Sequence, residues 1–107
     1  MPTRPIRITG CNATTQELEL DFPNIKASSN DTILWKIHPQ SGVDSIEEIK
    51  EKNGYDNIWS TEPKNNNSWK GVIKDGVPKD YEYEYEITWR KDNRNYTHDP
   101  KITVNPS

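Results

Sequence analysis

Tyr81-Glu82-Tyr83-Glu84-Tyr85-Glu86-Ile87-Thr88-Trp89-Arg90 alternates without a break between apolar and polar side chains. A period of two places Tyr81, Tyr83, Tyr85, Ile87 and Trp89 on one face of a strand and Glu82, Glu84, Glu86, Thr88 and Arg90 on the other. On a helix the same residues would scatter their aromatic rings around the whole axis, so this stretch reads as a half-buried strand. Polar residues 91–95 follow as a hairpin turn. Tyr96 to Val104 then returns, with Ile102 and Val104 directed to the same interior as the tyrosines.

Working outward, the same alternation recurs along the chain. Pro5-Ile6-Arg7-Ile8-Thr9 is stopped by Gly10, and Glu17-Leu18-Glu19-Leu20-Asp21-Phe22 ends at Pro23. After the turn signal Asn30-Asp31, Ile33, Trp35 and Ile37 share a face and Leu34 takes the other, predicting a strand covered on both sides. Asn57 to Ser60 and Trp69 to Lys74 give two shorter candidates around a loop of residues 61–68 that contains Pro63 and three consecutive Asn. One segment changes period. Val43, Ile46 and Ile49 recur at intervals of three, Glu47 and Glu48 stand early, Lys50 and Lys52 stand late, and Asn53-Gly54 closes the segment. This pattern predicts a helix of about ten residues with charges matched to its dipole. Six or seven strands with one inserted helix, separated by polar turns, predict an all-β antiparallel Greek-key sandwich.

Composition agrees. The 107 residues make a single domain of residues 1–107, with room for one modest core. Eleven Ile, four Trp and five Tyr against three Leu and two Ala favour pleated sheet over helix. No apolar run approaches the roughly 18–20 residues needed to cross a bilayer as a helix. Fourteen basic and seventeen acidic residues give a net charge of −3, which supplies no basic field for phosphates, so nucleic acid is not an expected partner. Cys11 stands alone and closes no internal disulfide. With no apolar leader after Met1, the expected compartment is the cytoplasm, or the exterior if a leader has been removed. Four Asn-x-Ser/Thr triplets, at Asn12, Asn30, Asn66 and Asn95, are within what eleven Asn produce by chance.

The mid-chain segment Val43 to Lys52, the run Tyr83-Glu84-Tyr85-Glu86-Ile87 and the ending His98-Asp99-Pro100-Lys101-Ile102-Thr103-Val104 together resemble the cupredoxin-like Greek-key sandwich, in its small bacterial, copper-free form. Immunoglobulin-like sandwiches share much of this layout. Blue-copper centres take two His, a Cys and a weak axial ligand such as Met. Here the C-terminal hairpin offers His98 alone, Cys11 lies towards the other end and the only Met is Met1. The resemblance therefore implies the fold without a copper site, and no cofactor is expected.

Candidate functional residues divide into three groups. Tyr55, Trp59 and Trp69 flank the Asn-rich loop and are the expected binding residues, since exposed aromatics anchor interfaces; a lean core also recruits its aromatics, so at least one of the two Trp is expected inside. His38 and His98, as a metal pair with Asp44 or Asp99, have no metal-ligand spacing, and Asp99 beside His98 is expected to hydrogen-bond nearby backbone before Pro100. Glu82, Glu84 and Glu86 stand about 6.5–7 Å apart on one strand face, close enough for paired acid–base work, yet a solvated face opposite lysines such as Lys70 and Lys74 is the simpler reading. Cys11 has no sequence-level base and reads as a small packing residue. The expectation is a non-catalytic binding or accessory module that recognises a protein, with carbohydrate as a further option. Its recognition surface would be the loops at residues 39–43 and 55–68, or an open sheet edge accepting a partner strand. A small enzyme or metal protein built on His98/Asp99 or the glutamate face is the alternative.

Overall fold

The computed structural model describes residues 3–52, 54 and 57–105, and its elements are almost all strands. In chain order they are β1 (Thr3–Asn12), β2 (Glu17–Leu20), β3 (Asn24–Ala27), β4 (Thr32–Ile37), β5 (Ser45–Glu51), β6 (Trp59–Thr61), β7 (Lys70–Ile73), β8 (Tyr81–Lys91), β9 (Arg94–His98) and β10 (Lys101–Val104), with one 3₁₀ turn at Asn65–Asn67. They build two mixed sheets. The first runs β2-β1-β4-β7-β6; the second runs β3-β10-β8-β5, with β9 also paired to β8. Most neighbours are antiparallel, but β1 lies parallel to β4, and β3 parallel to β10. Among the described residues no helix is long and apolar enough to cross a membrane.

The alternating stretch is the longest strand and behaves as its pattern predicts. Tyr83, Tyr85, Ile87 and Trp89 are fully buried. Asp92 and Asn93 both take positive φ, 51° and 64°, and close the β8–β9 hairpin with the left-handed turn that matches strand twist. Strands β9 and β10 keep one register along β8 (Ile87 opposite His98, Lys101 opposite Glu84), so they form one strand interrupted at Asp99-Pro100. Pro100 has no N–H for the ladder, but its carbonyl still accepts from the Tyr85 N–H at 3.2 Å.

The segment expected as a helix is β5. Its register explains the misleading period. Ile46 stands opposite Trp89 and Ile49 opposite Ile87, so β5 advances three residues while β8 advances two. A β-bulge between Ile46 and Glu48 takes up the extra residue. Two inward isoleucines three apart are thus the trace of a bulged strand as well as of a helix face. The strand β3, four residues directly after Pro23, alternates strictly but is too short to stand out in the sequence. It buries Ile25 and Ala27.

The two sheets meet on a dry interface centred on four rings. Trp35 on β4 donates its indole N–H to the Tyr85 hydroxyl at 3.2 Å, and Trp59 on β6 donates to the Tyr83 hydroxyl at 3.1 Å. The tyrosines stack on each other with centroids 5.8 Å apart. Each tryptophan meets its tyrosine edge-on, and the tryptophans meet each other edge-on at 5.9 Å. Each sheet thus supplies one half of a polar pair that the other half satisfies, which removes the cost of burying an unpaired N–H or hydroxyl. Isoleucines at 6, 8, 33, 73, 87 and 102 fill the space around the rings. At one end Trp89 stacks on Tyr96 and donates to the Gln16 carbonyl, so the β1–β2 turn is tied to the second sheet. Gly71 on β7 is required by this packing, since a Cβ there would stand 2.7 Å from the Trp59 ring.

Three outcomes follow. Tyr85→Phe leaves the buried Trp35 N–H unpaired and should cost about 1–3 kcal/mol in urea unfolding, with part of the loss recovered when Trp35 is also replaced by Phe. Gly71→Ala should cost a similar ~1–3 kcal/mol through overpacking against Trp59. Burial, partly offset by the indole hydrogen bonds, holds the Tyr83 and Tyr85 hydroxyls well above the usual phenol range. The unfolded chain ionises its tyrosines at about pH 10 while these two stay protonated, so stability is full below that pH and falls above it. An ultraviolet titration should show both ionising only as the protein unfolds; smooth ionisation of every tyrosine near pH 10 would contradict the buried pairs.

Candidate functional site

Of the three expected binding residues, Trp59 is a core residue: only 5% of it is exposed, and its indole is committed to Tyr83. Trp69 is half-buried at the rim of the core. Tyr55 lies outside the described residues. Trp59 and Trp69 nevertheless share one feature, a groove of about 440 Å³ where the open edge of β5 faces the segment between β6 and β7. Residues 47–51 form one wall, and residues 62–65 with Trp59 and Trp69 form the other.

Main-chain geometry gives this groove its character. The Lys52 N–H donates to the Glu84 carbonyl, so along β5 residues 48, 50 and 52 direct their main-chain groups towards β8. Alternation then turns those of Ile49 and Glu51 outward. Among the described residues no strand pairs with that outer edge. The opposite wall is held in a strained turn. Ser68 and Trp69 both have φ of 59°, a left-handed conformation that costs non-glycine residues on the order of 1–3 kcal/mol. Three hydrogen bonds hold the turn: Ser68 N–H to the Asn65 carbonyl, Trp69 N–H to the Lys64 carbonyl at 2.9 Å, and Trp35 N–H to the Trp69 carbonyl at 3.1 Å. Trp69 is thereby fixed in place at the groove.

Charge on the groove is uneven. Glu47, Glu48, Glu51 and Glu62 line it against Lys50 and Lys64. The ion pairs Lys50–Glu48 and Lys64–Glu62 are long, 3.8 and 3.9 Å, and all four side chains are exposed, so each pair contributes little. Glu51 and Glu62 both add to the upward push that burial gives the Tyr83 hydroxyl.

The other candidates are placed apart. Glu82, Glu84 and Glu86 lie on the outer face of the second sheet, as the alternation predicts, but their basic neighbours are not Lys70 and Lys74. Those two belong to the other sheet's side of the molecule, because β8 pairs with β5 and β9–β10 and never with β7. Lys101 bonds Glu82 at 2.8 Å, which raises the Lys101 pKa, and Lys50 stands opposite Glu86. His98 is half-buried opposite Ile87; burial lowers its pKa, with Glu17 and Asp99 pulling the other way. Asp99 itself lies 3.6 Å from Lys52. The His38 Nδ1 accepts from the Gln40 N–H, and the Asp44 carboxylate accepts from the Asp92 N–H. Among the described residues no three His, Cys, Asp or Glu side chains gather as a metal site. In the loop at residues 39–43, Pro39, Gln40 and Gly42 are exposed while Ser41 and Val43 are buried; the Ser41 hydroxyl accepts from Val43 N–H and its carbonyl from the Cys11 thiol.

A second groove, of about 480 Å³, lies at the opposite edge, between residues 3–5 of β1 and residues 24–26 of β3, beside Phe22, which is 48% exposed. The sequence hides β5 as a wall because its bulge imitates a helix; Glu47 and Glu48 read there only as helix-dipole partners, and Glu51 carries no signal of its own. No protein-family model matches this chain, and no curated protein matches it as a relative.

Proposed function

We propose that this chain is a non-catalytic recognition module that engages a partner protein at the groove between β5 and the β6–β7 segment. The observation that carries this reading is the outward-facing main chain of Ile49 and Glu51 beside a fixed Trp69. An extended segment laid against β5 would complete its hydrogen-bond ladder, the side-chain groove supplying selectivity. The rest of the molecule is a rigid support, joined across its sheets by the Trp–Tyr pairs. Trp69 beside Asn65 and carboxylates supports a carbohydrate as a second reading, because an aromatic face flanked by amide and carboxylate groups suits a sugar ring.

The Greek-key arrangement is supported by the parallel β1–β4 and β3–β10 pairings, which require the chain to cross between sheets. The resemblance to copper-free cupredoxin-like domains now rests on β8 and the β9–β10 strand, since its third support, the inserted helix, is β5. A reducing compartment such as the cytoplasm suits the single Cys11, which is tied to Ser41 rather than poised for chemistry.

The test is selection of short extended peptides on the folded protein, followed by amide exchange of the complex. Bound peptides should slow exchange at Ile49 and Glu51. Glu51→Pro should abolish this protection without unfolding the protein, because that N–H points away from β8 and its removal breaks no ladder bond. Ligands that protect residues 39–43 instead, or binding unaffected by Glu51→Pro, would overturn the reading.

A further inference from the structure

We infer that the segment taken by the β5 groove is cationic, an extended stretch with Lys or Arg at alternate positions. This rests on the reading of the groove as a strand-accepting edge and adds the chemistry of its occupant.

A strand added to β5 directs every second side chain into the groove, at intervals of about 6.5–7 Å. Those side chains meet a lining that includes Glu51 on one wall and Glu62 and Trp69 on the other. Four carboxylates and two ammonium groups line the groove, and Arg90 reaches Glu47 from beside it at 4.0 Å, so one negative charge stays in excess. The Lys50–Glu48 and Arg90–Glu47 pairs are long, 3.8 and 4.0 Å, and exposed, so these carboxylates keep attraction for an incoming cation. A half-buried tryptophan adds a face over which an ammonium or guanidinium group is attracted by the ring quadrupole. An acidic strand would instead bring like charges together along the same wall, and a wholly apolar one would leave the carboxylates facing groups that cannot repay their lost hydration.

The opposite groove differs in sign: among its lining residues are Arg4 and Lys26 and no carboxylate. Arg4 is engaged by the buried Asp31 at 2.6 Å, and β3 is only four residues long. A second copy offering its β3 edge to β5 would therefore bring one uncommitted cation where the groove presents several anions, which makes a separate basic segment the better complement.

Three eight-residue peptides test this, alternating Thr with Lys, Ser or Glu and bound to the whole chain. The Lys peptide should bind about tenfold tighter than the Ser peptide, weaken severalfold between low and high salt, and slow exchange at Ile49 and Glu51. The Glu peptide should not bind. Glu51→Gln with Glu62→Gln should remove most of the Lys preference while leaving the fold unchanged by circular dichroism. If the Ser or Glu peptide binds as well as the Lys peptide and protects the same amides, the cationic preference is wrong and the strand-accepting edge stands. If no peptide protects those amides, both fail. Concentration-dependent self-association blocked by Glu51→Pro would give the edge to a second copy and overturn the basic segment.

Discussion

Two indole N–H groups reaching across a dry interface to two tyrosine hydroxyls hold the sheets in one relative position. Apolar packing alone tolerates sliding, because isoleucines fit isoleucines in several registers. A Trp35–Tyr85 and a Trp59–Tyr83 hydrogen bond do not. A slip of β8 by one residue within its sheet would turn both hydroxyls to the outer face and leave two buried donors without partners. The four rings therefore fix register as well as filling space, and Gly71, the β6–β7 pairing and the seat of Trp69 follow from where Trp59 must lie.

This constraint also shapes the candidate site. Trp59 has one edge in the core and contributes to the groove floor, so the groove and the sheet interface share a residue. The strained Ser68-Trp69 turn is anchored through Trp35, the other tryptophan of the tetrad. Groove and core are thus mechanically continuous, which suits the proposed addition of a strand.

The sequence made β8 legible because nothing in it conflicts: period, aromatic content and the polar turn after it all agree. The inward placement of Tyr83, Tyr85, Ile87, Trp89, Ile102 and Val104 could be read directly, as could the outward placement of the glutamates. Strand β5 was not legible, because a bulge converts a period of two into a spacing of three, and local charges at 47, 48, 50 and 52 happen to suit a helix dipole as well. Pairing is the deeper limit. Alternation tells which face a residue takes but not which strand lies beside it, so the partners of Glu82 and Glu86 became clear only once β10 and β5 were seen to flank β8. Trp59 and Trp69 were recognisable as notable; that one is a pillar and the other a rim depends on contacts from strands far away in the chain.

The order in which partners occur along the chain has a consequence for synthesis. Among the described residues β3 has only β10 for a neighbour, and β5 only β8, so both wait for residues made much later. Until Tyr81 to Val104 has left the ribosome, no part of the second sheet can form, and the isoleucines of β3 and β5 remain exposed to water. Such dependence on remote contacts slows folding and leaves hydrophobic strands open to wrong neighbours. The charged residues interleaved along β5 then serve the nascent chain as well as the finished groove, keeping a waiting strand soluble until its late partner arrives.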